Sequence, residues 1–551
     1  MRKTVIAVAL VVVLAALVAA GLGGPSTGVV RHTHTGLEVV PMEPRTAAEM
    51  KAKGIALPTF IGTSINRGKK FNPTGEAIEQ LTTGATQKVL VLFVQFTDTP
   101  PGGPATRADL HEFDDLLFGT TYDPPEYSAY ASTGYPTNRT LKNYFKEATF
   151  GKLDIVTLNL PSTLGWVQAG HPYSYYCRAD GVHDNGFGPY PESVEGLVVD
   201  AIKAADPYVD FSQYAVNGVV PNLFVVHAGT GAEWSADPSI IWSHSSDLTS
   251  YTGFDGYIAD GVKLNNYAMM PEVGGDTTGY YGPASGPYPA TVGVYAHEYG
   301  HVLGLPDQYD YGYESNGTGY FSLMAGGSWN SWPEDEIFYG NSPSELDAWS
   351  KYRLGVLTPK VVTASKTVTL KPSETYPVAY KMIVPGSGGK EYFLFENRQN
   401  IGFDKGLLDW YTGPSIMPIH GLAVYHVDDT VFSRTYWNPN EAENWKEWRS
   451  AGWRKAWTGE SHYAVSIMQA DDRWHLEHGY NQADVGDLYP GSKNVRSVGN
   501  FTKPNTSSYY FWLGNAPKYG YSGVTAKNIT ETGMDVSLTL SFVPYNPPVK
   551  K

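Results

Sequence analysis

Two histidines near the middle of the 551-residue chain have the spacing of a metal site. The stretch VGVYAHEYGHVLGLPDQYDY, residues 292–311, places His297 and His301 on one face of a helix. Two imidazole nitrogens arranged in this way can bind one zinc ion. Glu298 follows the first histidine, where its carboxylate can take a proton from a water activated by the metal and pass it to a leaving amine. The pattern predicts metal-assisted hydrolysis.

The residues after this helix offer a third metal ligand. Gly304 ends the helix, because glycine tolerates the positive φ common at a helix C-terminus. Asp307 then completes the pattern HExxHxxGxxD, with two imidazoles, one carboxylate and an open position for water. Asp310 is the alternative third ligand, or a hydrogen-bond partner for a ligand histidine.

A methionine downstream has a position typical of metzincins, zinc peptidases that place a methionine turn beneath the metal. Met324 lies in GYFSLMAGGSW, between small residues that favour a turn. The structural alternative is an amphipathic helix with incidental histidines and an ordinary packed methionine. Glycine and aspartate at the required offsets weaken that alternative, because they match the metal pattern in addition to the histidines.

These residues need a framework of strands and helices to position them. Val89–Phe96 and Leu223–His227 are apolar runs typical of buried strands, and a helical pattern covers Val194–Ala205 between them. From about residue 361 onward the chain consists of short alternating strands separated by turn residues. We therefore predict an α+β protein, in which a metzincin-like catalytic domain with a mixed sheet precedes an antiparallel β-sandwich-like domain.

The N-terminus has the composition of an export signal. Arg2 and Lys3 precede an apolar run of about 16 residues, which is shorter than the roughly 20 residues of a typical membrane span. We expect a secreted protein without stable membrane insertion, and an uncleaved cell-surface anchor is the alternative. The predicted parts are a signal peptide at 1–22, a leader or pro-segment at 23–85, a catalytic domain at 86–360 and a β-rich domain at 361–551.

Composition narrows the possible partners. The chain has 40 Lys+Arg against 55 Asp+Glu, a net charge of −15, and this acidity argues against nucleic-acid binding. Cys177 is the single cysteine, so no intrachain disulfide can form and stability must come from core packing and bound metal. We expect a monomer that acts on proteins or peptides.

The chain resembles the immune inhibitor A-type secreted metallopeptidases. The resemblance runs from about residue 88 to 545, and stretches that carry it include KVLVLFVQFTD, NYFKEATFGKLD, HEYGHVLGLPDQYDY, SPSELDAWSKYRLGVLTP, EYFLFENRQNIGFDKGLLDW and DVGDLYPG. It implies a secreted zinc endopeptidase made as a zymogen, with calcium as a structural ion. It matches His297 and His301 to zinc ligands, Glu298 to the general base, Met324 to the methionine turn and Asp307 to the aspartate of the motif.

Two further expectations follow. Asp484 and Asp487 in QADVGDLYPG form a candidate calcium site, for which a turn capped by the two aspartates is the alternative. The leader contains no Asp and no Cys, so latency cannot depend on either residue type reaching the zinc from that segment. The alternative function is a catalytically silent, metal-containing cell-surface binding protein of the same fold, and the intact Glu298 counts against it.

Overall fold

The structure, a computed structural model, describes twelve parts of the chain. They are residues 38–57, 86–101, 103, 108–124, 136–248, 256–279, 286–332, 338–412, 415–434, 439–442, 463–509 and 520–543. The predicted signal peptide lies outside the described residues. In the part of the chain that is described, no helix has the length and apolar character that a membrane span requires.

Helices and strands alternate in the first part of the chain, and strands dominate the last. The α-helices are α1 Pro44–Ala52, α2 Leu110–Phe118, α3 Leu141–Ala148, α4 Pro161–Leu164, α5 Tyr173–Tyr176, α6 Val194–Ala205, α7 Val292–Val302, α8 Ala348–Arg353 and α9 Asp429–Arg434. The strands up to the end of α7 are β1 Glu38–Val39, β2 Thr86–Lys88, β3 Leu90–Gln95, β4 Asp154–Val156, β5 Trp166–Gln168, β6 Val219–Val220, β7 Leu223–Thr230, β8 His244–Asp247, β9 Tyr257–Ala259, β10 Val262–Leu264, β11 Asn266–Gly274 and β12 Tyr288–Pro289. The later strands are β13 Lys360–Val361, β14 Lys366–Leu370, β15 Tyr380–Ile383, β16 Glu391–Arg398, β17 Leu408–Asp409, β18 Met417–Pro418, β19 Gly421–Asp428, β20 Val465–Ile467, β21 Ser497–Val498, β22 Val524–Thr532 and β23 Asp535–Phe542.

A mixed sheet forms the centre of the first part, with strand order β1-β8-β11-β7-β3-β5 and β12 beside β11. Strands β5, β3, β7 and β11 run parallel to one another, and β8 and β12 are antiparallel to β11. All residues of β7 are buried, as expected for a central parallel strand. The predicted α+β character is therefore confirmed.

Helix α7 carries the HExxH segment and packs against this sheet. The Tyr295 hydroxyl donates a 2.6 Å hydrogen bond to the Pro271 carbonyl of β11. The Tyr299 ring meets Phe224 of β7 edge-on, with ring centroids 5.5 Å apart. These contacts fix the helix both along its axis and in its rotation. The positions of His297 and His301 then follow from helix geometry.

The last part of the chain contains two larger sheets, ordered β13-β15-β16-β19-β20 and β14-β23-β22-β21. Apolar side chains from both share one buried cluster, which includes Phe393 and Val424 of the first sheet and Val524 and Leu538 of the second. The core between them is formed by alternate residues of strands such as Lys366–Leu370, whose outward positions are exposed.

Part of the predicted leader is ordered, although its composition gave little sign of regular structure. Strand β1 pairs with β8 in antiparallel fashion, opposing Val39 to His244. Helix α1 follows, with the Glu43 carboxylate capping its first amides and Met50 buried beneath it. The apolar positions Ala47 and Met50, three residues apart after Pro44, are the sequence signal for this helix.

Candidate metal centre

Three side chains bring their ligand atoms to one point. The Nε2 atoms of His297 and His301 lie 3.1 Å apart. The Asp307 Oδ1 atom lies 3.1 Å from the first and 3.3 Å from the second. Zinc ligands at about 2.0–2.1 Å occupy tetrahedron corners that are about 3.3 Å from one another. The three atoms therefore have the spacing of three corners of a zinc tetrahedron.

The hydrogen bonds of the two histidines determine which ring nitrogen faces this point. His297 Nδ1 donates to the Leu323 carbonyl and His301 Nδ1 donates to the Leu305 carbonyl, both at 2.9 Å. A carbonyl oxygen can only accept, so each Nδ1 carries a proton, and each ring in its neutral form would present an Nε2 lone pair to a metal. Two lone pairs and a carboxylate oxygen facing one another fit a bound zinc ion.

Asp307 is buried but keeps its charge. Burial by itself raises the pKa of its carboxyl, but the adjacent His301 and His297 rings outweigh burial and lower that pKa below its usual value. Its Oδ1 atom accepts no hydrogen bond within the described structure, although the residue is only 1% exposed. The other oxygen, Oδ2, accepts a 2.5 Å hydrogen bond from the Tyr311 hydroxyl.

Glu298 and Met324 lie next to the ligands. Glu298 is the residue after His297 on α7 and is fully buried. Met324 packs against Gly300 of the same helix. Its Sδ atom is so close that a Cβ atom added at Gly300 would lie 2.5 Å from it. The Met324 carbonyl accepts a 2.7 Å hydrogen bond from the Gln308 amide. The turn around Met324 thus supports both the helix and the segment that carries Asp307.

Asp310, the alternative for the third ligand, does not belong to this group of three residues. Its Oδ1 accepts from the Gly312 amide at 3.0 Å, and its Oδ2 accepts from the Ser315 amide and hydroxyl at 3.0 and 2.9 Å. It therefore closes its own loop, and the histidine Nδ1 atoms bind backbone carbonyls instead of its carboxylate. Among the described residues, the group His297, His301 and Asp307 is the one in which three such side chains could hold a metal.

A comparison with protein families agrees with this geometry. Residues 76–356, just over half of the chain, match the catalytic domain of immune inhibitor A peptidase M6. The chain belongs to the peptidase M6 family. The matched region contains the three candidate ligands, helix α7 and every strand of the central sheet except β1.

Two curated relatives of this M6 chain are named as a metalloprotease and an immune inhibitor. The pre-pro-metalloprotease PrtV of Vibrio cholerae serotype O1 is 27% identical over 299 residues, which cover 48% of this chain and 29% of PrtV. Immune inhibitor A of Bacillus thuringiensis subsp. alesti is 30% identical over 288 residues, which cover 47% of this chain and 39% of the relative. The chain thus spans well under half the length of these relatives.

Asp484 and Asp487 of the M6 chain lie together in a buried turn. Asp484 Oδ1 accepts from the Gly486 amide at 2.7 Å, and Asp487 Oδ2 accepts from the Asp484 amide at 2.7 Å. These bonds are those of a turn capped by its own aspartates. Asp471 and Glu477 are close enough for their charges to contribute to a raised Asp487 pKa, of which burial is the largest cause. A calcium ion at this turn stays a prediction.

Sequence reasoning missed one residue beside the candidate centre of this M6 protein. Tyr311 was not singled out, although it lies four positions after Asp307 and its hydroxyl can reach back within the same loop. His244 and Glu233 make hydrogen bonds within the fold. The His244 ring binds the Trp242 carbonyl and the Tyr267 hydroxyl, and Glu233 accepts from Ser243.

Proposed function

We propose that this chain is a zinc-dependent endopeptidase that hydrolyses peptide bonds in proteins. The observation that carries the proposal is the triangle of His297, His301 and Asp307 ligand atoms, with edges of 3.1–3.3 Å, beside the buried Glu298 carboxylate. Membership of the M6 peptidase family and the metalloprotease name of PrtV support the reaction class.

Each side chain has a defined role in this mechanism. His297, His301 and Asp307 would hold the zinc, which when bound supplies a Lewis acid that polarises the scissile carbonyl and lowers the pKa of a water. Glu298 takes a proton from the attacking water and later delivers it to the leaving amine.

We assign the catalytic part to a metzincin-like fold and the last part to a β-sandwich-like domain. The order β5-β3-β7-β11-β8, with an antiparallel strand at one edge, supports the first assignment, as does the methionine turn under α7. The apolar cluster that the two C-terminal sheets share supports the second. In such a fold the edge of β8 opposite β11 would accept an extended substrate by strand addition.

The leader occupies that edge, so we propose that the described chain is a latent form. Besides the β1–β8 pairing, the Val40 amide donates to the Ser243 carbonyl at 3.2 Å, and Trp242 Nε1 donates to the Val40 carbonyl at 2.9 Å. The metal ligands and Glu298 are at most 5% exposed, as expected for a site that is covered in the latent form. Latency then rests on strand occupation, and it needs neither the Asp nor the Cys that the leader lacks.

Maturation would remove this strand. The leader contains a basic stretch, Arg67-Gly68-Lys69-Lys70, that a trypsin-like protease can cut. We expect the full chain to hydrolyse denatured casein slowly, and limited trypsin treatment to raise the rate at least tenfold. A synthetic peptide of residues 37–44 should then inhibit the treated enzyme, whereas a scrambled peptide should not. Equal rates before and after removal of the leader would exclude latency by this segment.

Export is proposed on the sequence of residues 1–22, which lie outside the described structure. The name of PrtV describes a pre-pro form, and a pre-pro protein carries an export signal and a removable segment. Intact mass and N-terminal sequencing of the protein recovered from culture medium would locate both cuts. Recovery of the uncut chain with the membrane fraction would instead support the anchored alternative.

Metal removal tests the proposed activity and separates it from a silent binding protein. The trypsin-treated chain should lose casein hydrolysis after dialysis against a zinc chelator and regain it with one equivalent of Zn²⁺. The matched control is the Asp307→Ala chain treated in the same way, which should not respond to Zn²⁺ at that concentration. Activity that survives complete metal removal would contradict the proposal, and zinc binding without hydrolysis would favour the binding protein.

We also propose a structural calcium ion at the turn of Asp484 and Asp487. The support is a buried Asp487 Oδ1 atom that accepts no hydrogen bond, close to the Asp484 and Asp471 carboxylates. Oxygen atoms of this kind suit a hard cation. Millimolar Ca²⁺ should raise the thermal midpoint of the wild-type chain but not that of Asp487→Asn. An identical response of both proteins would contradict the calcium site and favour a turn that is capped by its own aspartates alone.

A further inference from the structure

The third zinc-ligand candidate is held by a hydrogen bond that leaves one of its oxygens for the metal. Asp307 Oδ2 accepts from the Tyr311 hydroxyl at 2.5 Å, and Oδ1 faces the two histidine Nε2 atoms at 3.1 and 3.3 Å. Both residues are almost completely buried, at 1% and 2% exposure. A carboxylate on a loop could otherwise rotate about χ2 and offer either oxygen, or both. The tyrosine hydroxyl selects one orientation.

The tyrosine is in turn fixed by residues far along the chain. Its backbone amide donates to the Glu441 Oε1 atom at 3.1 Å. Asn440 Nδ2 donates to the Gln308 carbonyl, one residue after Asp307, at 2.9 Å. Asn440 also binds the β20 backbone, because its side chain accepts from the Val465 amide and donates to the Val465 carbonyl. The loop that carries the third ligand is therefore attached to the C-terminal sheet.

From these contacts we propose that Tyr311 is a positioning residue for Asp307, and that Asn440 and Glu441 of the C-terminal part hold this tyrosine loop in place. The inference rests on the proposed zinc site and extends it: the catalytic domain does not complete its metal centre alone. Second-layer hydrogen bonds of this type commonly change metal affinity by about 10–100-fold. The C-terminal domain would thus contribute to metal binding without supplying a ligand.

Zinc affinity of the full chain tests the proposal without reference to catalysis. Competition with a chromophoric chelator should show a dissociation constant for Zn²⁺ about 10–100-fold higher in Tyr311→Phe than in the wild type. Tyr313→Phe is the matched control: it removes a hydroxyl from the same loop that accepts from the Met42 amide, whereas the Tyr311 hydroxyl donates to Asp307. Its zinc affinity should stay within about twofold of the wild type, as expected for a group outside the ligand network.

Two further readouts separate positioning from a general loss of structure. The visible spectrum of the Co²⁺-loaded chain should change in Tyr311→Phe and not in Tyr313→Phe, while the thermal midpoints of the metal-free chains stay similar. Glu441→Ala should weaken zinc binding, and Glu441→Gln, which keeps an acceptor oxygen, should restore most of the affinity.

The outcomes distinguish this inference from the proposed function. Equal zinc affinity and equal Co²⁺ spectra in wild type and Tyr311→Phe would overturn the role of Tyr311, whatever the chain hydrolyses. If zinc affinity changes in the variants as expected but the chain cleaves no protein, the positioning role is supported and the proposed peptidase activity is contradicted. A wild-type chain that binds no zinc would overturn both. If Tyr311→Phe does not fold, the Glu441 pair of variants decides by the same affinity measurement.

Discussion

Backbone carbonyls accept hydrogen bonds from the Nδ1 atoms of both histidines in the candidate metal centre. Leu323 and Leu305 supply these carbonyls, and the second lies in the segment that leaves α7. A substitution at either leucine keeps the carbonyl, so the orientation of the rings depends on the path of the chain. Asp307 differs, because a side chain fixes its orientation. At the residue scale, the carboxylate is therefore the ligand whose geometry a single substitution can disturb.

A second buried carboxyl predicts how stability depends on pH. Glu233 lies under the leader and accepts from the Ser243 amide and hydroxyl at 3.2 and 2.7 Å. Burial raises its pKa from 4.5 to about 7. The folded chain therefore keeps a proton that the unfolded chain loses between these values, so its stability falls as the pH rises through this interval and changes no further above it.

Glu233→Gln removes this titration. Relative to that variant, the free energy of unfolding of the wild type should fall by about 3 kcal/mol between pH 4.5 and 7. Denaturant titrations of both metal-free chains at the two pH values measure the difference. Stability curves that run parallel across this range would show that Glu233 ionises in the folded state as it does in the unfolded one.

At the scale of elements, we propose that leader and substrate compete for the edge of strand β8. Val39 of β1 is 1% exposed and its carbonyl accepts a 2.5 Å hydrogen bond from the Tyr309 hydroxyl. The Trp329 Nε1 atom donates to the Pro41 carbonyl, two residues further on, at 2.9 Å. Tyr309 follows Asp307 by two positions and Trp329 follows Met324 by five. The leader is thus attached to the same two loops that build the metal centre.

Val39→Asp should release the leader, because it places an unpaired charge in a buried position. We expect the uncut chain with this substitution to hydrolyse denatured casein at a rate approaching that of the trypsin-treated wild type. Glu49→Ala on the exposed face of α1 is the control and should stay latent, since the Glu49 side chain is 61% exposed. Latency in both variants would mean that β1 does not block the substrate.

At the scale of the whole molecule, a buried arginine joins the C-terminal sheet to the segment before the methionine turn. Arg398, at the end of β16, binds both Asp404 oxygens at 2.6 and 2.8 Å. Its Nη1 atom donates to the Phe321 carbonyl at 2.9 Å. Both charged residues are fully buried. The pair therefore holds the turn beneath α7 from the C-terminal side.

Arg398→Met should destabilise the chain by about 3–5 kcal/mol, because it leaves the Asp404 charge buried without its ion pair. The control is Lys371→Met, which breaks an ion pair with Asp535 in which the lysine side chain is 52% exposed. That change should cost much less than Arg398→Met, because solvent screens an exposed ion pair. Denaturant unfolding measures both, and equal losses in the two variants would show that Arg398 does not join the two parts.

Local patterns made part of this structure predictable. Helix Val194–Ala205 has the bounds that its sequence pattern indicates. The group of His297, His301 and Asp307 was predictable because one helix and the segment directly after it carry all three residues. The strand Glu38–Val39 was not predictable, because two residues carry no periodicity and the strand exists only through its pairing with β8. The contact between Arg398 and the Phe321 carbonyl spans 77 positions, and no local pattern encodes it.

The most direct test of the central claim is the Glu298→Gln chain after removal of the leader. The amide keeps the size of the side chain but cannot take a proton from water, so hydrolysis of denatured casein should fall by at least about 100-fold. Metal analysis of the same sample should still find one zinc per chain, with an unchanged thermal midpoint. Full activity in a correctly folded, zinc-loaded Glu298→Gln protein would contradict the account.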